Sequence, residues 1–314
     1  MTTAGPPDPP TRPDTRHAYY DRMVRVLRHI QTHLDGALAP HDLAHLAHFS
    51  PFHFHRVFRA MVGESVGGHV RRLRLERAAG DLRHTSDDVL AIALRAGYEA
   101  HESFTRAFKA HFALTPREWR AAEADPDIPA APSGIHYGPD VAVGLFRPIR
   151  EEYAMMDASI KAMPALRLAA LAHTGPYMQI GKTFERLGMT AAPAGLFGPG
   201  TLMLGVYHDD PQETPPEKCR AHAGVTIADG RPLPAGFEEV RVAAGEYAVG
   251  AHRGHYRGLE RAYLWLMGQW IPSQRREIGD GPAYEIYRNT PRDTREEDLI
   301  TEIRVPLGMR LRSA

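Results

Sequence analysis

The chain has 314 residues, 43% hydrophobic and 24% charged, with 38 basic side chains balancing 38 acidic ones. This is ordinary globular composition, and at roughly 150 residues per domain it predicts two domains, each with its own core. One cysteine excludes a disulfide framework and a multi-cysteine zinc site, and no apolar run approaches the ~20 residues that span a bilayer. A reducing cytoplasm is therefore the expected compartment, with no membrane partner and no cofactor.

Residues 1–15, MTTAGPPDPPTRPDT, hold five prolines and no apolar core, so they read as a disordered tail rather than a signal peptide. The zero net charge is unevenly shared. Residues 16–122 carry a net +5 and 12 of the 18 histidines, whereas residues 123–314 carry −4. Fifteen of the sixteen cations in the first segment are arginine, whose planar fork suits phosphate and guanine edges, although a GC-rich coding sequence would enrich arginine too.

From Tyr19 the pattern is helical, with Met23, Val26, Leu27, Ile30 and Leu34 at spacings of three and four. A short helix with Leu43, Leu46 and Ala47 inward follows. Then come His48-Phe49 and Ser50-Pro51, an N-cap and first helical residue, opening a helix with Phe54, Val57, Phe58 and Met61 on one face. Two short helices around a tight turn make a helix-turn-helix, here without the usual turn glycine. The arrangement recurs. Phe54-His55-Arg56-Val57-Phe58-Arg59 and Phe104-Thr105-Arg106-Ala107-Phe108-Lys109 share F-x-R-x-F-[RK], and the second copy has Gly97 at its turn. Between them, residues 66–84 read as one helix about 27 Å long. That is close to the ~34 Å between successive major-groove faces, so one chain could present two recognition helices. His41, His45 and His48 form a stripe that reads as a solvated polar face rather than a metal site.

These stretches, LAHLAHFSPFHFHRVFRAMVGES, VRRLRLERAAGDL and AIALRAGYEAHESFTRAFKAHFALTPREWR, resemble the DNA-binding domain of the AraC/XylS regulators. The resemblance implies an all-α double helix-turn-helix over residues 16–122 that contacts double-stranded DNA, with RNA polymerase as a further partner. It implies base-facing positions Phe52, His55 and Arg56 in the first recognition helix, with Arg59 near phosphate. In the second they are His101, Glu102, Ser103, Thr105 and Arg106, with Lys109 near phosphate. Arg56 and Arg106 have the alternative of ion pairs within their own domain.

Residues 123–152, rich in proline and glycine, read as a linker. Beyond it, residues 153–314 show strand-like segments at 165–172, 201–207, 247–251 and 301–307 and helical ones at 177–187 and 259–270. They also contain a duplication. His173-Thr174-Gly175-Pro176-Tyr177 matches His252-Arg253-Gly254-His255-Tyr256, and the segments starting at Tyr207 and Val225 match those starting at Tyr287 and Ile303. This predicts an α+β domain of two pseudo-symmetric repeats with a groove between them, a usual place for a small ligand. Gly205 in the first half stands where the second has Glu285, on a strand that puts Glu285 and Tyr287 on one face. A carboxylate among aromatics such as Tyr177, Tyr256, Tyr287 and Trp270 suits a lipophilic cation. The other reading is a solvated edge-strand glutamate. Trp265 and Trp270 also fit a helix-packing core, from whose end Trp270 could reach the groove.

GHYRGLERAYLWLMGQWIP, AYEIYRNTP, LITEIRVPL and VYHDDPQETPPEKCRAHAGVTI resemble the GyrI-like small-molecule-binding domain. In drug-sensing relatives the glutamate matching Glu285 pairs with cationic ligands, and that role is carried to Glu285 on the resemblance alone. Arg220-Ala221-His222 departs from the family's Arg-Tyr-Asp. The expectation is a multidomain transcription regulator, not an enzyme, that binds DNA and a small aromatic or cationic effector. The rival readings are a groove that hydrolyses its ligand, with Glu285 as base and a tyrosine as acid, or one that binds a protein. No serine or cysteine nucleophile has a histidine at a recognisable spacing, and Cys219 looks incidental.

Overall fold

A computed structural model describes residues 15–138, 146–149, 156–211 and 214–308, apart from the side chain of Phe52. The expected tail, residues 1–15, lies outside these except for Thr15. Among the described residues, seven helices make the N-terminal part: α1 (Thr15–Thr32), α2 (Pro40–Leu46), α3 (Pro51–Val62), α4 (Val66–His84), α5 (Val89–Arg95), α6 (His101–Phe112) and α7 (Pro116–Ala121). The pairs α2–α3 and α5–α6 are the two helix-turn-helix units, joined by α4, whose span matches the periodicity.

Each recognition helix is seated by its phenylalanine face. Phe54 and Phe58 of α3 pack with α1 and α2, whereas Phe104, Phe108 and Phe112 of α6 pack with Trp119 of α7 and Leu75 and Leu82 of α4. Trp119 Nε1 donates to Ala79 O at 3.1 Å, and a capping box between Thr115 and Glu118 starts α7. Ser50 sits at the N-cap of α3, but its hydroxyl makes no capping bond, and Pro51 at the first position sets the helix start.

The two turns differ in their residue at positive φ. Gly97 has φ +83°, which suits glycine, and the matching residue of the first turn, His48, is held at φ +53°. A side chain in that region costs about 1–2 kcal/mol, partly offset by the entropy glycine loses on folding. His48→Gly is therefore expected to raise stability by about 0.5–1 kcal/mol, read as a higher denaturation midpoint. A lower midpoint would mean that the imidazole contributes more than its backbone costs.

The C-terminal part is an eight-stranded antiparallel sheet with helices on it. Its strands are β1 (Asp157–Met163), β2 (Leu166–Thr174), β3 (Met203–Tyr207), β4 (Arg220–Thr226), β5 (Glu238–Val242), β6 (Gly245–Arg253), β7 (Tyr284–Tyr287) and β8 (Ile300–Pro306), in the order β1-β6-β8-β7-β3-β4-β2-β5. The order reads as a two-fold about the β7–β3 pair, so the duplication in sequence is a duplication in space. Each half lends its first strand to the other, since β1 pairs with β6 and β5 with β2. The helix of the first half is α8 (Gly181–Ala191). That of the second is α9 (Leu259–Trp265), which continues through a π turn at Leu266–Trp270 into α10 (Ile271–Ser273).

The proline-rich segment between the two parts packs against the helices. Ile135 is 2% exposed, its carbonyl accepts from Arg72 Nη1 at 2.9 Å, and Gln31 Nε2 donates to His136 O at 2.8 Å. Most of residues 139–152 lie outside the described residues.

Candidate functional site

The second recognition helix faces outward. His101, Glu102, Arg106 and Lys109 are exposed, and Ser103 and Thr105 are half-buried. Arg106 takes part in no ion pair or hydrogen bond among the described residues, so the alternative of an internal salt bridge has no support there. Ser103 Oγ donates to Ala100 O at 2.7 Å at the start of the helix. With its apolar face fixed on α4 and α7, α6 presents a guanidinium and an ammonium one turn apart. Both groups are of the kind that pair with phosphate and guanine edges.

The first recognition helix is placed differently. It packs against the C-terminal part, and its apolar residues Val57, Phe58 and Met61 share one continuous core with Ala262, Leu266, Met267 and Ile271. Gly268 in the π turn lies against α3, where a Cβ atom would stand 2.3 Å from the Ala60 Cβ. Arg59 forms an ion pair with Glu260. Arg56 lays its guanidinium over the Tyr263 ring, 4.4 Å from the centroid, and His55 is half-buried. His53 is buried, and its Nε2–H donates to Gly281 O at 2.8 Å. Burial, then the charge of Arg56, pushes the His53 imidazole down to about 3, so it is neutral at ordinary pH. Outside α3, Arg22 pairs with Glu277 at 2.6 Å, and Ile278 N donates to the Tyr19 hydroxyl at 3.2 Å. The side chain of Phe52 lies outside the described residues.

Arg56 and Tyr263 lead into the second feature. β3 and β7 pair at the pseudo-two-fold, bringing Gly205 opposite Glu285. Glu285 is 4% exposed, so the solvated edge-strand reading does not hold: β7 is a central strand. The Tyr287 hydroxyl donates to Glu285 Oε2 at 2.7 Å, and the Tyr207 hydroxyl donates in turn to that of Tyr287. Tyr207 and Tyr287 are the repeat-related pair, meeting hydroxyl to hydroxyl at the axis. The room for this comes from Gly205, where a Cβ atom would lie 2.9 Å from the Tyr207 ring. Tyr177 packs edge-on to Tyr207 at 4.8 Å, Tyr256 to Tyr287 at 5.7 Å, and Phe184 of α8 to Tyr287 at 5.1 Å. Tyr263 of α9 is buried close by.

Burial pushes the Glu285 carboxyl above the usual carboxylate range, opposed by the Tyr287 and Tyr263 hydroxyls and by the charge of Arg56. Burial and then Glu285 push the hydroxyls of Tyr207, Tyr263 and Tyr287 well up, so all three remain protonated donors. The result is an aromatic box closed around one buried carboxylate. A carboxylate and ring faces are the two features that attract a cation.

Of the residues singled out for the ligand, Glu285, Tyr287, Tyr177 and Tyr256 come together. Trp270 does not join them: it sits 6.5 Å from Trp265, packed against the core shared with the N-terminal helices. Tyr207, Tyr263 and Phe184 were not among them. Tyr207 could have been found as the repeat partner of Tyr287, and Tyr263 as the residue two helical turns after Tyr256. The histidines 41, 45 and 48 are exposed, and among the described residues no group of three or more His, Cys, Asp or Glu is placed to hold a metal ion.

Comparison with known proteins divides the chain in the same way. Residues 43–122 match a helix-turn-helix domain model, and residues 156–307 match that of the GyrI-like small molecule binding domain. The chain is 37% identical over 103 residues to the HTH-type transcriptional regulator YbfP of Bacillus subtilis, 32% of this chain and 35% of YbfP. It is 25% identical over 292 residues to the transcriptional regulator Rob of Salmonella typhimurium, 88% of this chain and 95% of Rob. It is also 30% identical over 110 residues to the HTH-type transcriptional activator AarP of Providencia stuartii, 34% of this chain and 82% of AarP. The match to YbfP thus spans about a third of that protein's length.

Proposed function

The chain belongs to the AraC-type DNA-binding transcription regulators and carries a GyrI-like small-molecule-binding domain, and from that premise we propose that its effector is a lipophilic cation held by Glu285. The observation that carries this reading is a single carboxylate, almost wholly buried, walled by Tyr177, Tyr207, Tyr256, Tyr263 and Tyr287. A neutral ligand gains less from a buried carboxylate than a cation, which offsets the cost of keeping it ionised. DNA contact is assigned to α6 through Arg106 and Lys109, both exposed on its outer face. The description of AarP as an activator supports RNA polymerase as a further partner.

The test is a titration with tetraphenylphosphonium and with neutral triphenylphosphine oxide. Glu285→Gln is expected to weaken the cation roughly ten- to a hundredfold, the worth of a charge-assisted contact, and the neutral compound far less. Equal losses would remove the carboxylate as charge partner. Glu285 and Tyr287 also carry the groups of a general base and a general acid, so each mixture is assayed for product. Turnover abolished by Glu285→Gln would replace sensing with hydrolysis.

The raised pKa of Glu285 has a definite sign in this titration. Burial favours the protonated carboxyl, and a bound cation favours the ionised one, so binding releases a proton. Cation affinity is expected to rise with pH from the ordinary carboxylate range up to the raised value and then level off. Affinity independent of pH from 4.5 to 7.5 would show that Glu285 does not ionise on binding.

A further inference from the structure

The two recognition helices carry the same F-x-R-x-F pattern, yet they sit in different surroundings. Arg106 is exposed on α6, while Arg56 on α3 is turned against the effector domain, 4.4 Å from the centre of the Tyr263 ring. Arg56 has no ion pair with a carboxylate among the described residues, so its charge is met by the ring face and by Glu285 behind it. The rest of α3 is held to the same surface by the Arg59–Glu260 pair, the His53–Gly281 hydrogen bond and the Ala60–Gly268 contact.

We propose that Arg56 is a tethered stand-in for the effector: its guanidinium takes the cation's place at the Tyr263 wall of the Glu285 box, and a lipophilic cation entering the box expels it and frees α3 for DNA. The proposal rests on the cation reading of the box. A guanidinium on an aromatic face and a quaternary cation in an aromatic box use the same physics. Two cations beside one buried carboxylate repel, so occupancy of the box and docking of Arg56 oppose each other. Displacement matters for DNA because the residues expected to face bases and phosphate, His55, Arg56 and Arg59, belong to the docked surface of α3. In the docked form only α6 reaches a major groove; in the released form both helices do. The coupling is reciprocal: DNA that engages both helices tightens cation binding by the factor by which the cation tightens DNA binding.

The experiment uses the full chain, a DNA fragment selected by that chain, and tetraphenylphosphonium as probe. Hydroxyl-radical footprinting is expected to show protection in one major groove without the probe and in two successive grooves with it, with DNA affinity rising about tenfold. Gly268→Leu, which lies outside the box residues and both DNA-facing surfaces and has no room beside Ala60, is expected to wedge α3 off and protect both grooves with no probe. Glu260→Ala, an exposed change, serves the same purpose should the wedge not fold. Arg56→Ala is expected to bind the probe about tenfold more tightly, whereas a merely structural arginine would leave affinity unchanged or lower. A probe that binds wild type in a Glu285-dependent way but leaves footprint and affinity unchanged would overturn the proposal. So would a single-groove footprint for both Gly268→Leu and Glu260→Ala. A probe that binds neither wild type nor Arg56→Ala would refute the cation reading itself and the displacement with it. A two-groove footprint in the wedge variant would then show that docking alone covers α3.

Discussion

Arg72→Met is expected to destabilise the N-terminal domain by about 3–5 kcal/mol, the usual cost of removing one member of a buried ion network. Arg72 lies on α4, the helix that joins both helix-turn-helix units. Its Nη2 bonds Glu64 Oε1 at 2.6 Å, and its Nη1 bonds Glu76 Oε1 at 2.7 Å and Ile135 O at 2.9 Å. Tyr137 N donates to Glu76 Oε2 at 2.7 Å, which ties the segment after α7 to the same cluster. The Glu76 side chain is 1% exposed, so methionine at 72 would leave a carboxylate with almost no water. Although burial raises the Glu64 carboxyl, hydrogen bonds from His69 and Arg72 outweigh it and bring it down to about 2. A depressed carboxylate stabilises the fold above its ordinary pKa, and that share is lost as pH falls from about 4.5 toward 2. Urea denaturation checks both statements. A cost below about 1 kcal/mol would mean that the carboxylates find water or other partners, and adding Glu64→Gln and Glu76→Gln is expected to recover part of the loss.

Arg106→Ala is expected to cost roughly 1–3 kcal/mol of DNA binding and to relax selectivity at one base pair, the worth of a bidentate guanidinium–base contact. Lys109→Ala, one turn on, is expected to weaken binding to all sequences alike and to lower the salt slope by about one. The contrast between the two is the informative part. Both side chains are exposed on the same outer face, and only a base contact changes the preferred sequence. Loss of affinity with unchanged selectivity in Arg106→Ala would assign it to phosphate instead.

Much of this architecture was legible in the residues. The spacing of Phe54, Phe58, Phe104 and Phe108 marked two seated helices, and the repeat marked a pseudo-two-fold on which Tyr207 and Tyr287 meet. What could not be read has physical reasons. Amphipathic spacing tells which face of α3 leaves its own core, but not whether water, DNA or another domain covers it. Arg56 and Arg106 therefore look alike in sequence and sit in different surroundings. β1 and β5 are the edges of the sheet, and β5, with Glu238, Glu239 and Arg241 among its five residues, gives little alternation to detect. The segment around Ile135 has linker composition, yet donors from Arg72 and Gln31 satisfy its carbonyls and allow it to pack.

The most direct measurement is selection of bound DNA from a random pool by the full chain, with and without tetraphenylphosphonium, repeated with Glu285→Gln. The expected result is one enriched sequence for the wild type that the cation alters, and enrichment in Glu285→Gln that the cation leaves unchanged. Enrichment of no sequence, or the same response to the cation in both proteins, would contradict a DNA-binding regulator governed through Glu285.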